Sequence, residues 1–545
     1  MKYAISFGLA LSLCILLASA QEKPAQASPR GSEDPELLSF NELVTLSSTA
    51  KPDGELAAHL NDVLTQPFLH NEGAGGIGPH RRSVEGIGPV LRVGEWNIER
   101  GLNFDVIRTA LTDTTEFERF QGNNPPLSGE RKARIESQLA NLQNVDVLVL
   151  NEADLGMKRT DYRDVARDLA AALHMNYAYG VEFVEVDPVF ELGTEQIHLR
   201  DPQQDALLQQ DLKVDQERYR GLHGTAILSR YPIRSARIVR LPVCYDWYAQ
   251  ETKQAAKLER GKRWAANILF RERIEREIRQ GGRMALIAEV AIPESPTGKV
   301  TIVAVHLENR CTPACRRRQM QALLASVKDV QNPLVMAGDL NTTGRTITPT
   351  SVRNEIMSRV TDYRFWAGQA VSHFNPLGIY QYALVPVRYL HGYHDPTAFH
   401  LPVVWENRES HLFKKVETFR FSDEGAFDFR GDPEHSFNGK RRKLANSNER
   451  AGKGFVPTYA FARDYRGFVG RFKLDWFFVK PFLEDPRQKN RSYLFAPHFA
   501  QTMRELNQSV EDRISDHPPM TVDLPLLPAS SPNEESHSAT PGSRR

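Results

Sequence analysis

Short apolar or β-branched runs recur along the chain, each closing on polar residues: Val90–Ile98, Val145–Leu150, Gly224–Leu228, Met284–Ile292, Val300–Leu307, Leu334–Ala337 and Leu474–Val479. Runs of this length with polar punctuation predict strands. Helical spacing falls between them. In Asp161–Leu173, residues Tyr162, Val165, Ala166, Leu169 and Leu173 share one face. Asp161 and Asp164 stand in the first turn, where a carboxylate suits the helix dipole. Arg316–Val327 reads as a second helix, and the charged stretch Glu251–Gln280 as a third. Strands alternating with helices predict an α/β fold. The expected form is a four-layer α/β/β/α sandwich, two mainly antiparallel sheets flanked by helices.

The ends of the chain show another pattern. Lys2 precedes an apolar run from Ala4 to Leu17, and Ala18, Ser19 and Ala20 form a small-x-small cleavage site before Gln21. That predicts a signal peptide over residues 1–20 and a secreted or periplasmic mature protein. The run is short for a span of about 20 residues. No later stretch is apolar enough for stable membrane insertion, and nothing indicates a protein partner. Residues 21–88 read as a low-complexity segment with short helices within Leu37–Leu64 and a Gly-rich linker from Gly73 to Gly88. The main domain is expected over 89–526, with insertions near 251–280 and 371–454, and a Pro/Ser-rich disordered tail over 527–545.

Composition narrows the function classes. With 69 basic and 68 acidic residues, the protein is not a polycation that holds nucleic acid by bulk charge. A nuclease that grips a few phosphates stays open. His373, His391, His394 and His400 crowd the second insertion and read as scattered loop histidines rather than a metal site. The basic runs Arg316–Arg318 and Lys440–Lys443 read as solvated faces. Cys311 and Cys315 are spaced to close a small disulfide loop that leaves Cys244 free, and buried thiols are the other reading.

The chemistry lies in the polar residues at the strand ends. Trp96 and Asn97 end the first strand, in Gly-Glu-Trp-Asn-Ile-Glu-Arg-Gly, and Asn151 and Glu152 end the second. His306 ends Val-Ala-Val-His-Leu-Glu-Asn. Asp339 and Asn341 end Val-Met-Ala-Gly-Asp-Leu-Asn-Thr, and Ser515, Asp516 and His517 precede a last strand-like run. Any one of these motifs alone is an ordinary turn. Asp475, inside Phe-Lys-Leu-Asp-Trp-Phe-Phe-Val, is different, because a carboxylate in so apolar a run needs a partner. Together they supply hard oxygen ligands and two histidines, an inventory suited to magnesium and a phosphate.

The order and spacing of these motifs resemble the endonuclease/exonuclease/phosphatase superfamily from about Val90 to Pro525. Gly-Asp-Leu-Asn at 338–341 with Ser-Asp-His at 515–517 is the most specific pair. Asn97, Glu152, Asp475 and the phrase Gly224-Thr-Ala-Ile-Leu-Ser-Arg-Tyr-Pro-Ile233 add to it. The resemblance implies a metal-dependent phosphoester hydrolase with the sandwich fold. It implies that Glu152 holds Mg²⁺ with help from Asn97, Mn²⁺ being a substitute ion, and that Asp516 stands near the metal. Glu99 falls where some members carry a further acidic residue. His517 matches the catalytic histidine and Asp475 the carboxylate that orients it. Asp339 matches the residue that handles the attacking water, Asn341 a donor to a phosphate oxygen, and His306 a second phosphate contact. Either Asp339 or His517 serves as the formal base.

The substrate stays open at this level. A nuclease acting on DNA or RNA is the simplest reading. A sphingomyelinase-like or inositol-phosphate-type activity uses the same set, though neither a 5-phosphatase signature nor a lipid-binding amphipathic segment is present. A non-catalytic binding protein of the same fold is the reading from another class, and the filled motif positions argue against it.

Overall fold

The computed structural model describes residues 34–526 except 72–77, 86, 122–127, 197, 199–200, 254–276, 344–394, 399–405, 432–441, 452–453, 461–470, 483–494, 497 and 512. The expected signal peptide, the tail and the four loop histidines of the second insertion lie outside the described residues. Alternation along each strand builds the layers. Leu91, Val93, Val147 and Val149 face Met284, Leu286, Ile302, Val335 and Phe477 in a core made of strand residues from two sheets. On the opposite face of the first sheet, Trp96, Leu148 and Leu150 pack under the helices Phe104–Thr112, Gly129–Gln143 and Val165–Leu173. Val303, Val305, Met336, Trp476 and Phe478 pack from the second sheet against Pro313–Ser326 and Ser410–Thr418. The four layers are helices, sheet, sheet and helices, as the strand periodicity requires.

Among the described residues the first sheet has nine strands. Its main path runs Phe68–His70, Asn176–Glu185, Leu222–Ser229, Val147–Leu155, Gly88–Asn97, Met520–Pro525 and His498–Thr502. The second has five, in the order Asp475–Lys480, Leu334–Asp339, Val300–Val305, Met284–Val290 and Ile233–Arg240. Within these sheets only two strand pairs are parallel among the described residues: Gly88–Asn97 with Val147–Leu155, and Val300–Val305 with Leu334–Asp339. Each is joined by a helical crossover, as a parallel pair demands. Asn97, which ends its strand, is in register with Asn151, and Asp339, which ends Leu334–Asp339, is in register with Asp475 at the start of the antiparallel Asp475–Lys480.

At that end the sheets nearly touch. Gly338 has φ +141°, and a Cβ there would lie 1.9 Å from the Val305 carbonyl oxygen and 2.8 Å from Asn151 Oδ1. Only glycine fits so close an approach at a left-handed φ. The Gly of Gly-Asp-Leu-Asn therefore lets Asp339 sit against the first sheet.

Several boundaries depart from the sequence reading. The helix expected from Asp161 begins at Val165, capped by the Asp164 side chain, while Asp161 and Tyr162 take left-handed φ in the preceding turn. The Glu251–Gln280 helix is not continuous. Trp247–Lys253 is helical, and Arg279–Gly281 is a strand on Asn176–Glu185. The short helices expected within Leu37–Leu64 are present as Phe40–Ser48 and Gly54–Thr65, and the strand Phe68–His70 follows them. Leu43, Leu46 and Val63 from them are fully buried in the first core, which composition over a long window conceals. Ser410–Thr418, within the stretch read as the second insertion, is part of the outer layer of the sandwich.

Two further readings are corrected. Arg316 is not on a solvated face: it is fully buried, its guanidinium paired with Glu409 and the Thr343 carbonyl. The disulfide joins Cys244 to Cys315, with Cα atoms 5.8 Å apart, and Cys311 carries the free thiol. Sequence proximity favours 311–315, but the fold brings the loop after Ile233–Arg240 onto the first turn of Pro313–Ser326.

Candidate active site

Strand geometry assembles the site. The pairing of Val147–Leu155 with Leu222–Ser229 slips between Leu150 and Ala153. Within this bulge Glu152 takes φ +56°. A bulge re-aims side chains. Here Asn151 points inward, its Oδ1 accepting the Asp339 backbone N–H at 2.9 Å, while Glu152 keeps a quarter of its side chain exposed. Glu99, Arg100 and Asn341 also have positive φ. Left-handed backbone at such non-glycine residues costs about 1–3 kcal/mol each and gathers at functional sites.

All nine residues singled out from the sequence converge. Asn97 Nδ2 donates to Glu152 Oε1 at 3.2 Å and to Asp339 Oδ2 at 3.4 Å. His306 Nε2 lies 3.7 Å from Asp339 Oδ2 and 4.0 Å from Glu152 Oε1. His517 Nε2 lies 3.9 Å from the same oxygen, Asp339 Oδ2, and 4.0 Å from Asp516 Oδ1. His517 Nδ1 pairs with Asp475 Oδ2 at 2.8 Å. The Asp516 backbone N–H donates to Glu99 Oε2 at 3.0 Å, and the Glu99 N–H to Asn97 Oδ1 at 3.1 Å. Asn341 is the one member turned partly inward: its backbone N–H donates to Asp339 Oδ1 at 2.7 Å and its amide to the Leu307 carbonyl at 3.0 Å.

The electrostatics reflect this crowding. Burial, with Asp475 beside it, pushes the Asp339 carboxyl up to about 6. Burial would lower the His517 imidazole, but the charges of Asp475 and Asp516 hold it well above its ordinary value. Burial would raise Glu152, yet His306, His223 and Arg100 keep it at about 2. Burial next to Asp516 raises Glu99 to about 7. Asp516 is raised too, although Arg513 Nη2 lies 3.6 Å from Glu99 Oε1, and a divalent cation would relieve the remaining repulsion of this carboxylate pair. Asn97, Glu99, Glu152 and Asp516 offer only hard oxygen ligands, and that donor set fits such an ion. Asp339, Asp475 and His517 also place one ligand atom each within 4.8 Å. There His517 Nδ1 pairs with Asp475 while Nε2 faces Asp339, and we read this trio as proton-handling groups.

Residues 94–517 match the Endonuclease/Exonuclease/phosphatase family. The chain belongs to that family. Its activity class is metal-dependent hydrolysis of a phosphoester. Among solved structures, this family member is similar to an endonuclease/exonuclease/phosphatase from Beutenbergia cavernae: 17% identity, 80% of this chain and 72% of that one covered, TM-score 0.33. It is similar to the human Nocturnin catalytic domain with bound sulfate at 13% identity, covering 82% and 98%, TM-score 0.33. A mannosyl-6-phosphatase from Bacteroides thetaiotaomicron gives 12% identity, 80% and 99% coverage, and TM-score 0.33. No curated protein matches the chain.

Further residues of the family motifs seat the site, together with Glu182, which lies outside them. Asn151 Nδ2 donates to Thr225 Oγ1 at 3.1 Å, and Thr225 Oγ1 donates to Glu182 Oε1 at 2.6 Å. Ser515 Oγ donates to the Asn97 carbonyl at 2.8 Å and receives the His517 N–H at 3.2 Å, tying Ser-Asp-His to the first strand. Glu182 was findable. It is a carboxylate within the apolar run Asn176–Glu185, the same anomaly that singled out Asp475.

Proposed function

We propose that the protein is an exported, Mg²⁺-dependent phosphodiesterase, most simply a nuclease, that hydrolyses its substrate by in-line attack of water on phosphorus. The observation that carries this reading is Asp339 seated between His306 and His517, at 3.7 Å and 3.9 Å from their Nε2 atoms, with Glu152 opening to the cleft beside them. Asp339, raised to about 6, is matched to take a proton from water near neutral pH. His517, kept protonated by Asp475, is placed to stabilise or protonate the leaving oxygen. His306 would contact a non-bridging oxygen, and Asn341 would do so with the amide hydrogen that the Leu307 carbonyl leaves free. Glu152 and Asn97, with Asp516 and Glu99, would hold the cation. When bound, Mg²⁺ supplies Lewis-acid polarisation of the phosphoryl group and neutralises its charge. The Cys244–Cys315 pairing and the leader-like residues 1–20 support export, since disulfides persist in oxidising compartments.

Purified mature protein with Mg²⁺ should hydrolyse a phosphodiester among DNA, RNA and sphingomyelin faster than inositol phosphates, and EDTA should abolish the activity. A nuclease should also lose activity steeply with salt, as phosphate contacts are screened. Preference for inositol phosphates or for a sphingomyelin interface would replace the nuclease assignment. Inertness towards every substrate with Mg²⁺ or Mn²⁺ would leave the non-catalytic reading standing.

A further inference from the structure

Arg283 immediately precedes the Met284–Val290 strand, and its guanidinium is buried against two other buried groups, Glu182 and His306. Its Nη1 donates to Glu182 Oε2 at 2.6 Å and approaches His306 Nδ1 to 2.8 Å. A guanidinium carries five N–H donors and no acceptor. At 2.8 Å, Nδ1 must therefore be the bare, accepting nitrogen of the ring. In the neutral imidazole the proton then sits on Nε2, the atom that faces Asp339 and Glu152. Glu182 Oε1 is also 3.5 Å from Nδ1, beyond ordinary hydrogen-bond distance, so the guanidinium at 2.8 Å is the nearer partner of that nitrogen.

We propose that Arg283 is a positioning residue that selects the Nε2–H form of His306, so that His306 meets a phosphoryl oxygen as a neutral hydrogen-bond donor. The tautomer of a histidine is set by what its other nitrogen contacts. The contrast with His517 is built into the site. A carboxylate faces Nδ1 of His517 at 2.8 Å and favours a charged ring, whereas a cation faces Nδ1 of His306. The same arginine anchors a longer chain, from Glu182 through Thr225 and Asn151 to the Asp339 backbone N–H. Arg283 thereby orients one histidine of the site and braces the carboxylate next to it. Without the guanidinium, Glu182 is free to accept a proton-bearing Nδ1, and the proton on Nε2 is lost.

The kinetic arm of the test rests on the phosphoester reading above, whereas the spectroscopic arm does not. Mature protein labelled with ¹⁵N-histidine should show His306, assigned by its loss in His306→Asn, with Nδ1 resonating as a bare acceptor and Nε2 as an N–H nitrogen. Arg283→Met should move the proton to Nδ1 and lower kcat about 10- to 100-fold, the range of outer-shell partners. Arg283→Lys, which restores a cationic donor, should recover the Nε2–H form. A protonated Nδ1 in the wild-type protein would overturn the proposal even if the methionine variant did not fold. An Nε2–H ring that persists in Arg283→Met would overturn it as well, whatever the activity.

Discussion

Alanine in place of His517 is expected to lower kcat for a phosphodiester about 10²- to 10⁴-fold, the usual worth of a positioned acid or base, while the protein stays folded. The fold tolerates the change because the tie between Ser515 and the first strand uses the Ser515 hydroxyl and the His517 backbone rather than the imidazole. Unchanged activity in this variant would sink the mechanism. Asp475→Asn tests the same pair by pH. The wild-type profile should be bell-shaped, rising near pH 6 as Asp339 ionises and falling on the alkaline side as His517 loses its proton. Asp475 raises the His517 pKa, so removing that charge must lower it. The same charge raises Asp339, so both limbs should move to lower pH in Asp475→Asn. An alkaline limb that stays in place would take His517 out of the acid role.

Glu152→Gln should raise the Mg²⁺ concentration needed for half-maximal activity by at least about 100-fold. Changes one shell further out already cost 10- to 100-fold. Glutamine keeps the shape and the left-handed backbone of the bulge, with φ +56°, but removes the charge that His306, His223 and Arg100 hold ionised at about 2. The effect must appear in metal dependence before it appears in substrate KM. Isothermal titration of Mg²⁺ into the variant separates the two. Full metal affinity in Glu152→Gln would move the cation site towards Asp339, Asp475 and His517, where the other cluster of ligand atoms lies.

The site was legible because its residues close strands, and strands are legible by their period of two. Asp339, Asp475 and Glu152 stand where an apolar run meets a polar group that it cannot leave unpaired. The layers were legible for the same reason, since alternate positions of Val147–Leu155 and Val300–Val305 enter different cores. What escaped was long-range or finely local. The Cys244–Cys315 pair spans 71 residues, and spacing alone favours the nearer thiols. Arg316 looked like one of three solvated cations until Glu409, far along the chain, buried it. The helices within residues 37–64 were legible, but not that Leu43, Leu46 and Val63 from them enter the first core. Arg283 had no signal at all, because a lone arginine before a strand is ordinary until the fold places His306 against it.

Single-turnover hydrolysis of a phosphodiester by the purified protein in H₂¹⁸O with Mg²⁺ tests the central claim most directly. One ¹⁸O atom should enter the released phosphate group, and the product should be absent with EDTA or in His517→Ala. Product formed at the wild-type rate by His517→Ala, or formed without ¹⁸O, would contradict direct attack of water at this site.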